Sequence, residues 1–168
     1  SQMLELSGAQ VVTSGDDPLV RKAAEVLVDE LALRTGVTLS AAGTADGVQI
    51  LIGRESDLVA GNAALGRELG ALPPTGTEGY KLLVAEDGKC VVVAGNDPRG
   101  VLYGVGRLLR SCELRNGSIL LPAATTVSST PQYAVRGHEL HPSPRAKSPD
   151  EAWAKENFEQ YVRELALF

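Results

Sequence analysis

Two histidines and a glutamate lie close together near the C-terminal end of the sequence, as His138, Glu139 and His141. A zinc-binding helix places two histidines four residues apart, so that both side chains point at one ion. Here the spacing is three, and the segment leads into Pro142, which favours an extended chain. Side chains alternate along an extended chain, so His138 and His141 face opposite ways. We therefore expect no metal site and no cofactor.

Acidic residues could provide glycosidase chemistry, which needs two carboxyl groups facing each other across about 5–9.5 Å. The sequence contains 21 Asp and Glu residues, and most lie on predicted helix faces or in loops. No pair stands out by its spacing, and we assign no catalytic residue. The glycines of residues 100–106 lie inside a predicted helix and present no backbone amides to a phosphate, which excludes a dinucleotide fingerprint.

The two cysteines, Cys90 and Cys112, are far apart and form no CxxC motif, which excludes a thioredoxin-like or zinc-knuckle site. Cys90 begins a predicted strand, and Cys112 ends the helix that follows it. A helix that packs back along its strand would bring the two sulfurs towards bonding distance. A disulfide and two buried free thiols are both compatible with this pattern.

Charge and hydropathy exclude two further classes of function. The net charge is −5, and the 16 Lys and Arg residues are scattered rather than clustered, so we expect no nucleic-acid partner. No apolar run approaches the ~20 residues that cross a bilayer. With 43% hydrophobic and 22% charged residues, the chain has the composition of a globular protein.

The elements that must position any site are well marked along the first 122 residues. Asp17 followed by Pro18 is a typical helix start, and Asp87-Gly88 is a typical hairpin turn. The predicted elements are a strand over 9–14, a helix over 18–35, a strand over 48–53, a hairpin with arms 78–84 and 89–95, a helix from Pro98 to about Cys112 and a strand over 118–122.

One stretch of the sequence echoes another. Residues 11–18 and 91–98 share Val, Val, Gly, Asp and Pro at the same relative places. Each is a strand, a glycine turn and a capped helix start. The echo predicts two helices that leave one sheet in the same way.

The last third of the chain changes character. Residues 123–131 are Ala, Thr, Ser, Val and Pro, which is typical of a linker. A capping box at Ser148-Pro149-Asp150-Glu151 predicts a helix over 149–168. Its apolar stripe must be buried against a partner, and consists of Ala154, Phe158, Tyr161, Leu165 and Phe168. The apolar end of this helix indicates a chain that stops inside a larger unit.

Residues 78–111, with Ala-Gly-Asn-Asp-Pro-Arg-Gly-Val-Leu-Tyr-Gly-Val-Gly at their centre, resemble the small α/β domain that precedes the barrel in several glycoside hydrolases. These include the β-hexosaminidases, the α-glucuronidases and the α-N-acetylglucosaminidases. Residues 131–137 resemble the first strand of the barrel, and residues 149–168 resemble its first helix.

The resemblance implies an α+β fold. It consists of a mostly antiparallel β-sheet with two long helices packed on one face, followed by the first strand and helix of a truncated (β/α)8 barrel. The implied domains are an α/β accessory domain over 1–122, a linker over 123–131 and the barrel start over 132–168. In β-hexosaminidases the arginine of an Arg-Gly pair binds sugar hydroxyls, which makes Arg136 the candidate substrate-binding residue. The continuation 138–142 departs from the hexosaminidase pattern, which puts that specificity in doubt.

The expected function is that of a non-catalytic N-terminal accessory domain of a secreted glycoside hydrolase, extracellular or periplasmic. Its partners would be its own catalytic barrel and the carbohydrate substrate of the whole enzyme, and the chain alone would be inactive. The alternative is a stand-alone carbohydrate-binding or interaction module. Such modules present exposed aromatic rings, whereas before residue 131 only Tyr80 and Tyr103 are aromatic, both in predicted packed elements.

Overall fold

The computed structural model describes residues 2–41, 47–137 and 155–168, except for the side chains of 155–157. Within these ranges the strands are β1 (Met3–Glu5), β2 (Gln10–Thr13), β3 (Gln49–Arg54), β4 (Tyr80–Val84), β5 (Cys90–Gly95), β6 (Glu113–Arg115), β7 (Ser118–Pro122) and β8 (Thr126–Ser129). The helices are α1 (Pro18–Thr35), α2 (Glu55–Val59), α3 (Ala63–Gly70), α4 (Pro98–Ser111) and α5 (Lys155–Leu167).

The main sheet has five strands in the order β2-β3-β5-β4-β8. Strands β2, β3 and β5 run parallel to one another, whereas β4 is antiparallel to both β5 and β8. The expected α+β class is confirmed, but the expectation of a mostly antiparallel sheet is corrected to a mixed one. The reason is that the α1 crossover returns the chain from β2 to β3 in the same direction. After β3 the chain passes through α2 and α3 to β4, which runs the opposite way, and the β4–β5 hairpin reverses it again, so β5 is parallel to β3. Strands β1, β7 and β6 form a separate antiparallel sheet.

The echo between residues 11–18 and 91–98 is a structural repeat. Strands β2 and β5 flank β3 on either side, and each leads into a long helix. An aspartate caps each helix, with Asp17 accepting from the Leu19 amide at 2.8 Å and Asp97 from the Gly100 amide at 2.9 Å. The helices α1 and α4 contact each other and the sheet.

The central strands are buried on both faces, as the apolar run of β5 predicts. Along β5, Val91 and Val93 pack with α1 and α4, whereas Val92 and Ala94 pack with α2 and α3. The larger core, on the α1 and α4 side, also includes Leu6, Ile119 and Leu121 from around the small sheet. The main sheet therefore has a thick helical layer on one face and a thin one on the other.

A buried lysine connects the two short helices, α2 and α3, that form the thin layer. Lys81 of β4 is only 4% exposed. Its Nζ donates to Glu55 Oε1 at 3.0 Å and to the Leu69 carbonyl at 2.9 Å. The ammonium group thus joins α2 to the last turn of α3, where a positive charge meets the negative end of the helix.

Residues 123–131, interpreted as a linker, include a strand of the main sheet. Strand β8 pairs with β4 from Tyr80–Ser129 to Leu83–Thr126. Thr126 and Val127 are β-branched and favour a strand, but the four-residue segment is too short to be recognised before its pairing with β4 is known. Residues 131–137, which resemble a first barrel strand in sequence, form no strand in the described part of the chain.

The two cysteines are free thiols and form no disulfide with each other. Cys90 packs with the α2 and α3 side of the sheet, and Cys112 with the α1 and α4 side. Position 90 shares the face of Val92 and Ala94 because side chains alternate along a strand. The helix α4 does return along β5, but it lies over the opposite face. A disulfide would therefore have to pass through the sheet.

The burial of the two thiols predicts slow alkylation. Burial raises the pKa of the Cys112 thiol to about 12, and burial and the nearby Asp87 raise the pKa of Cys90. Since the thiolate is the nucleophile, iodoacetamide at pH 8 should label Cys90 slowly and Cys112 more slowly still, measured by intact mass. Both should react at once in urea without reductant. A disulfide-linked mass before urea treatment would contradict this.

The glycines of α4 allow close backbone approach, most clearly at Gly100. A Cβ at this position would overlap the carbonyl oxygen of Gly79, in the loop before β4. The same carbonyl accepts from the Asn96 amide at 2.9 Å. The start of α4 and the start of β4 are therefore in direct backbone contact.

Gly100→Ala should consequently destabilise the fold by about 2 kcal/mol, because the helix start must move away from the sheet. Gly70→Ala is the matched control, since Gly70 also lies in a helix but has no atom within 4 Å of its Cβ position. It should change stability by no more than about 0.5 kcal/mol or raise it slightly. Urea midpoints measure both, and equal shifts would contradict the close-approach argument.

Candidate functional site

The candidate site begins at Glu78, in the loop before β4. Glu78 has a positive φ of 59° and is the only non-glycine residue with positive φ among those described. Its backbone amide donates to Asp97 Oδ2 at 2.7 Å, while Asp97 Oδ1 caps α4 by accepting from the Gly100 amide at 2.9 Å. One carboxylate thus holds the Glu78 loop and the N-terminus of α4 together.

The carboxylate of Glu78 receives two arginines. Arg99 Nη1, from the first turn of α4, donates to Glu78 Oε1 at 3.1 Å. Arg136 Nη2 donates to Glu78 Oε2 at 2.6 Å. The Glu78 side chain is 15% exposed, whereas those of Arg99 and Arg136 are 72% and 37% exposed. The Glu78 side chain is therefore less exposed than either of the arginines that pair with it.

Arg136 makes two further contacts. Its Nη1 donates to the Tyr133 carbonyl at 3.0 Å. Its guanidinium carbon lies 5.3 Å from the centre of the Tyr103 ring, within the range of a cation–π contact. Tyr103 belongs to α4, so the arginine is held by the Glu78 loop, by α4 and by its own segment. These contacts fix the place where the chain leaves the main sheet after β8.

These contacts shift the two pKa values in opposite directions, and both shifts favour the charged forms. Hydrogen bonds from Arg99 and then Arg136 lower the pKa of Glu78. Hydrogen bonds with Glu78 and then Tyr103 raise the pKa of Arg136. Both groups are therefore charged at neutral pH. An ionised carboxylate cannot donate a proton, so Glu78 is unsuited to act as a general acid.

The cluster formed by Glu78, Arg99, Tyr103 and Arg136 borders an open cleft between α4, the end of β8 and α5. Glu78, Tyr103, Arg110, Arg136, Leu165 and Phe168 line it. Its charged groups are suited to hold polar ligands or to join segments of chain by directed hydrogen bonds. Among the described residues, no group of three His, Cys, Asp or Glu side chains could hold a metal ion.

The structure thus places Arg136, the substrate-binding residue suggested by the resemblance, beside three residues that sequence reasoning missed: Glu78, Arg99 and Tyr103. The sequence shows that Glu78 and Arg99 are charged and that Tyr103 is aromatic. Their proximity to one another depends on how β4, α4 and residue 136 pack. His138, Glu139 and His141 lie outside the described residues. None of the helices in the described ranges combines the length and the hydrophobicity that a membrane span requires.

Residues 2–128 match the family described as Glycosyl hydrolase family 20, domain 2. The match covers the main sheet up to β8 and all of helices α1 to α4. The chain belongs to this domain 2 family. The resemblance of residues 78–111 to a domain of glycoside hydrolases is thereby confirmed. A comparison with the curated proteins gave no match.

Solved structures show the same fold. A mutant β-hexosaminidase from Streptomyces plicatus, in complex with the product GlcNAc, matches with a TM-score of 0.51 at 21% identity, over 79% of this chain and 24% of its own. An exo β-N-acetylglucosaminidase from Vibrio harveyi, in complex with N-acetylglucosamine, matches with a TM-score of 0.51 at 14% identity, over 79% of this chain and 17% of its own. This domain 2 chain therefore spans about a quarter or less of these enzymes.

The cluster around Glu78 predicts a pH-dependent contact. Because the arginines lower the Glu78 pKa below its ordinary value of 4.5, the contact with Arg136 should persist at pH 4.5 and be lost only as pH falls further. The NMR signals of the Arg136 guanidinium report it. Glu78→Gln should give the detached signal at neutral pH.

Glu113→Gln is the matched control, since Glu113 pairs with Arg115 at 2.9 Å in an exposed position away from Arg136. It should leave the Arg136 signals unchanged. A midpoint at or above pH 4.5, or no effect of Glu78→Gln, would show that Glu78 does not hold Arg136.

Proposed function

We propose that this domain 2 chain is the non-catalytic N-terminal accessory domain of a secreted glycoside hydrolase, and that it supports a catalytic (β/α)8 barrel. The observation that carries the proposal is the arrangement of α5. One side of this helix is packed on α1 and α4, and its opposite side is apolar and half open to solvent.

The two sides follow from the helical repeat. Gln160, Arg163 and Leu167 fall on one side of α5, and that side meets the rest of the domain. The opposite side carries Phe158 and Leu165, together with Val162, which are 45%, 49% and 47% exposed. Exposed apolar side chains at helical spacing mark a surface that a partner covers. In a (β/α)8 barrel every outer helix packs its apolar side on the barrel strands.

Two largely buried carboxylates, those of Glu30 and Glu78, support a non-catalytic role for this domain. Glu30 is fully buried and lies between two arginines, at 3.1 Å from Arg34 and 3.5 Å from Arg163. Glu78 is held by two arginines that keep it ionised. Carboxylates occupied in this way are suited to joining elements rather than to proton transfer. The catalytic pair would then come from later strands of the barrel.

Arg136 has a place in this proposal as a sugar-binding residue. Its guanidinium keeps free donor positions beside the cleft while Glu78 and Tyr103 fix its orientation. A guanidinium offers five N–H donors, and the hydrogen bonds to the Tyr133 carbonyl, Glu78 and Tyr103 leave some of them free. The remaining donors are suited to sugar hydroxyls at the mouth of a barrel.

The test compares this chain with a longer form of the same protein that includes the barrel. The related structures of an exo β-N-acetylglucosaminidase and a β-hexosaminidase make 4-nitrophenyl N-acetyl-β-glucosaminide the first substrate of an aryl glycoside panel. The longer form should turn over at least one substrate, and the 168-residue chain none. Turnover by this chain, or saturable binding of oligosaccharides to it, would contradict a supporting role.

Arg136→Ala in the longer form should raise KM about tenfold or more, the loss expected when a charged hydrogen bond to substrate is removed. Arg99→Ala is the control, because it touches the same Glu78 from the other side. It should leave KM within about twofold. Unchanged KM in the Arg136 variant would remove that residue from the substrate site. Fractionation of cells producing the longer form tests export.

A further inference from the structure

The buried carboxylate of Glu30 lies where α5 crosses α1. Glu30 is 0% exposed in the middle of a long surface helix. Within α1 its partner is Arg34, whose Nε donates to Glu30 Oε2 at 3.1 Å. The other oxygen faces α5, where Gln160 Nε2 donates to Oε1 at 3.4 Å and Arg163 Nη1 lies at 3.5 Å. One of the two carboxylate oxygens therefore has its partners on α5.

A steric contact fixes the far end of α5. Leu167 is 1% exposed and packs in the main core. Its backbone lies against Gly106 of α4, where a Cβ would overlap the Leu167 carbonyl group. Arg110 also donates to this carbonyl. The end of α5 thus occupies a notch that a larger residue at position 106 would close.

An aromatic contact completes the surface. The guanidinium carbon of Arg34 lies 4.8 Å from the centre of the Phe168 ring. Arg34 therefore contacts α5 with its charge while it pairs with Glu30 within α1. Three contacts thus hold the last helix on α1 and α4. Arg34 meets Phe168, Glu30 meets Gln160 and Arg163, and Gly106 meets Leu167.

We propose that this domain acts as an intramolecular template, which holds α5 in one register and turns its apolar side outwards for the barrel strands to pack on. Glu30 is the residue that sets the register, because a shift of α5 by one turn would leave a buried carboxylate short of its partners. Buried ion pairs are best suited to such a role, since breaking them is far more costly than forming them is favourable. The inference rests on the proposed function only for the identity of α5 as a barrel helix.

The first test follows α5 by hydrogen exchange in the 168-residue chain. A 13-residue helix is marginal in water unless it is docked, so protection of its amides reports docking. Arg163→Met leaves Glu30 short of a partner and should accelerate exchange in α5 about tenfold, with α1 and α4 unchanged. Adding Glu30→Gln to Arg163→Met should recover part of that loss, because the uncompensated charge is removed.

Gly106→Ala tests the notch separately. Alanine favours helix formation in α4, so this variant should accelerate exchange in α5 while the amides of α4 stay protected. Val162→Ala is the control on the outward side, and it should change exchange in α5 by less than about threefold. Wild-type α5 exchanging like an unfolded segment, or additive effects of Arg163→Met and Glu30→Gln, would overturn the proposal.

The second test uses the longer form that includes the barrel. If the domain is a template, Arg163→Met should slow recovery of activity after dilution from urea several-fold, while the activity of protein that has folded stays within about twofold. Equal refolding rates with altered exchange in α5 would show docking without templating and would overturn it. Hydrogen exchange does not depend on glycosidase activity, so failure of the proposed function is recognised independently.

Discussion

The carboxylate of Asp97 is the contact on which the architecture around it depends. One oxygen caps α4 and the other accepts from the Glu78 amide. Through the first oxygen it fixes where α4 begins over the sheet, and through the second it fixes a residue with positive φ at the start of β4. The placement of Arg136 follows, because its ion pair is to Glu78. A single capping residue therefore connects the helical layer, the sheet and the exit of the chain.

Local signals made the first half of this arrangement predictable. The helix α1 has the bounds that its Asp17 cap, Pro18 and Gly36 indicate, with Gly36 in the left-handed region at φ 72°. The hairpin of β4 and β5 was equally clear from its Asp87-Gly88 turn. In each case the information lies within a few residues of the boundary.

Features that depend on distant partners were not predictable in this way. The parallel pairing of β2, β3 and β5, the recruitment of residues 126–129 into the sheet, and the opposite sides taken by Cys90 and Cys112 are examples. The orientation of α5 is another, because its apolar stripe predicted only that this side needs a partner and gave no sign that Gln160 and Arg163 would face the domain. Periodicity identifies an apolar side but not which of two partners will cover it.

The three glycines of α4 each adjoin a different neighbour: Gly100 meets the Gly79 backbone, Gly104 meets Val93 and Tyr80, and Gly106 meets Leu167. Each lowers the intrinsic helix propensity of α4 by about 1 kcal/mol relative to alanine. A 14-residue segment with this composition would not be helical alone. The helix is therefore stable only when the loop and the sheet are in place around it, and the last helix docks on it at Gly106. Folding of α4 is thus coupled to folding of the sheet, and the domain has no stable partly folded form in which α4 persists without the Gly79 loop and the sheet.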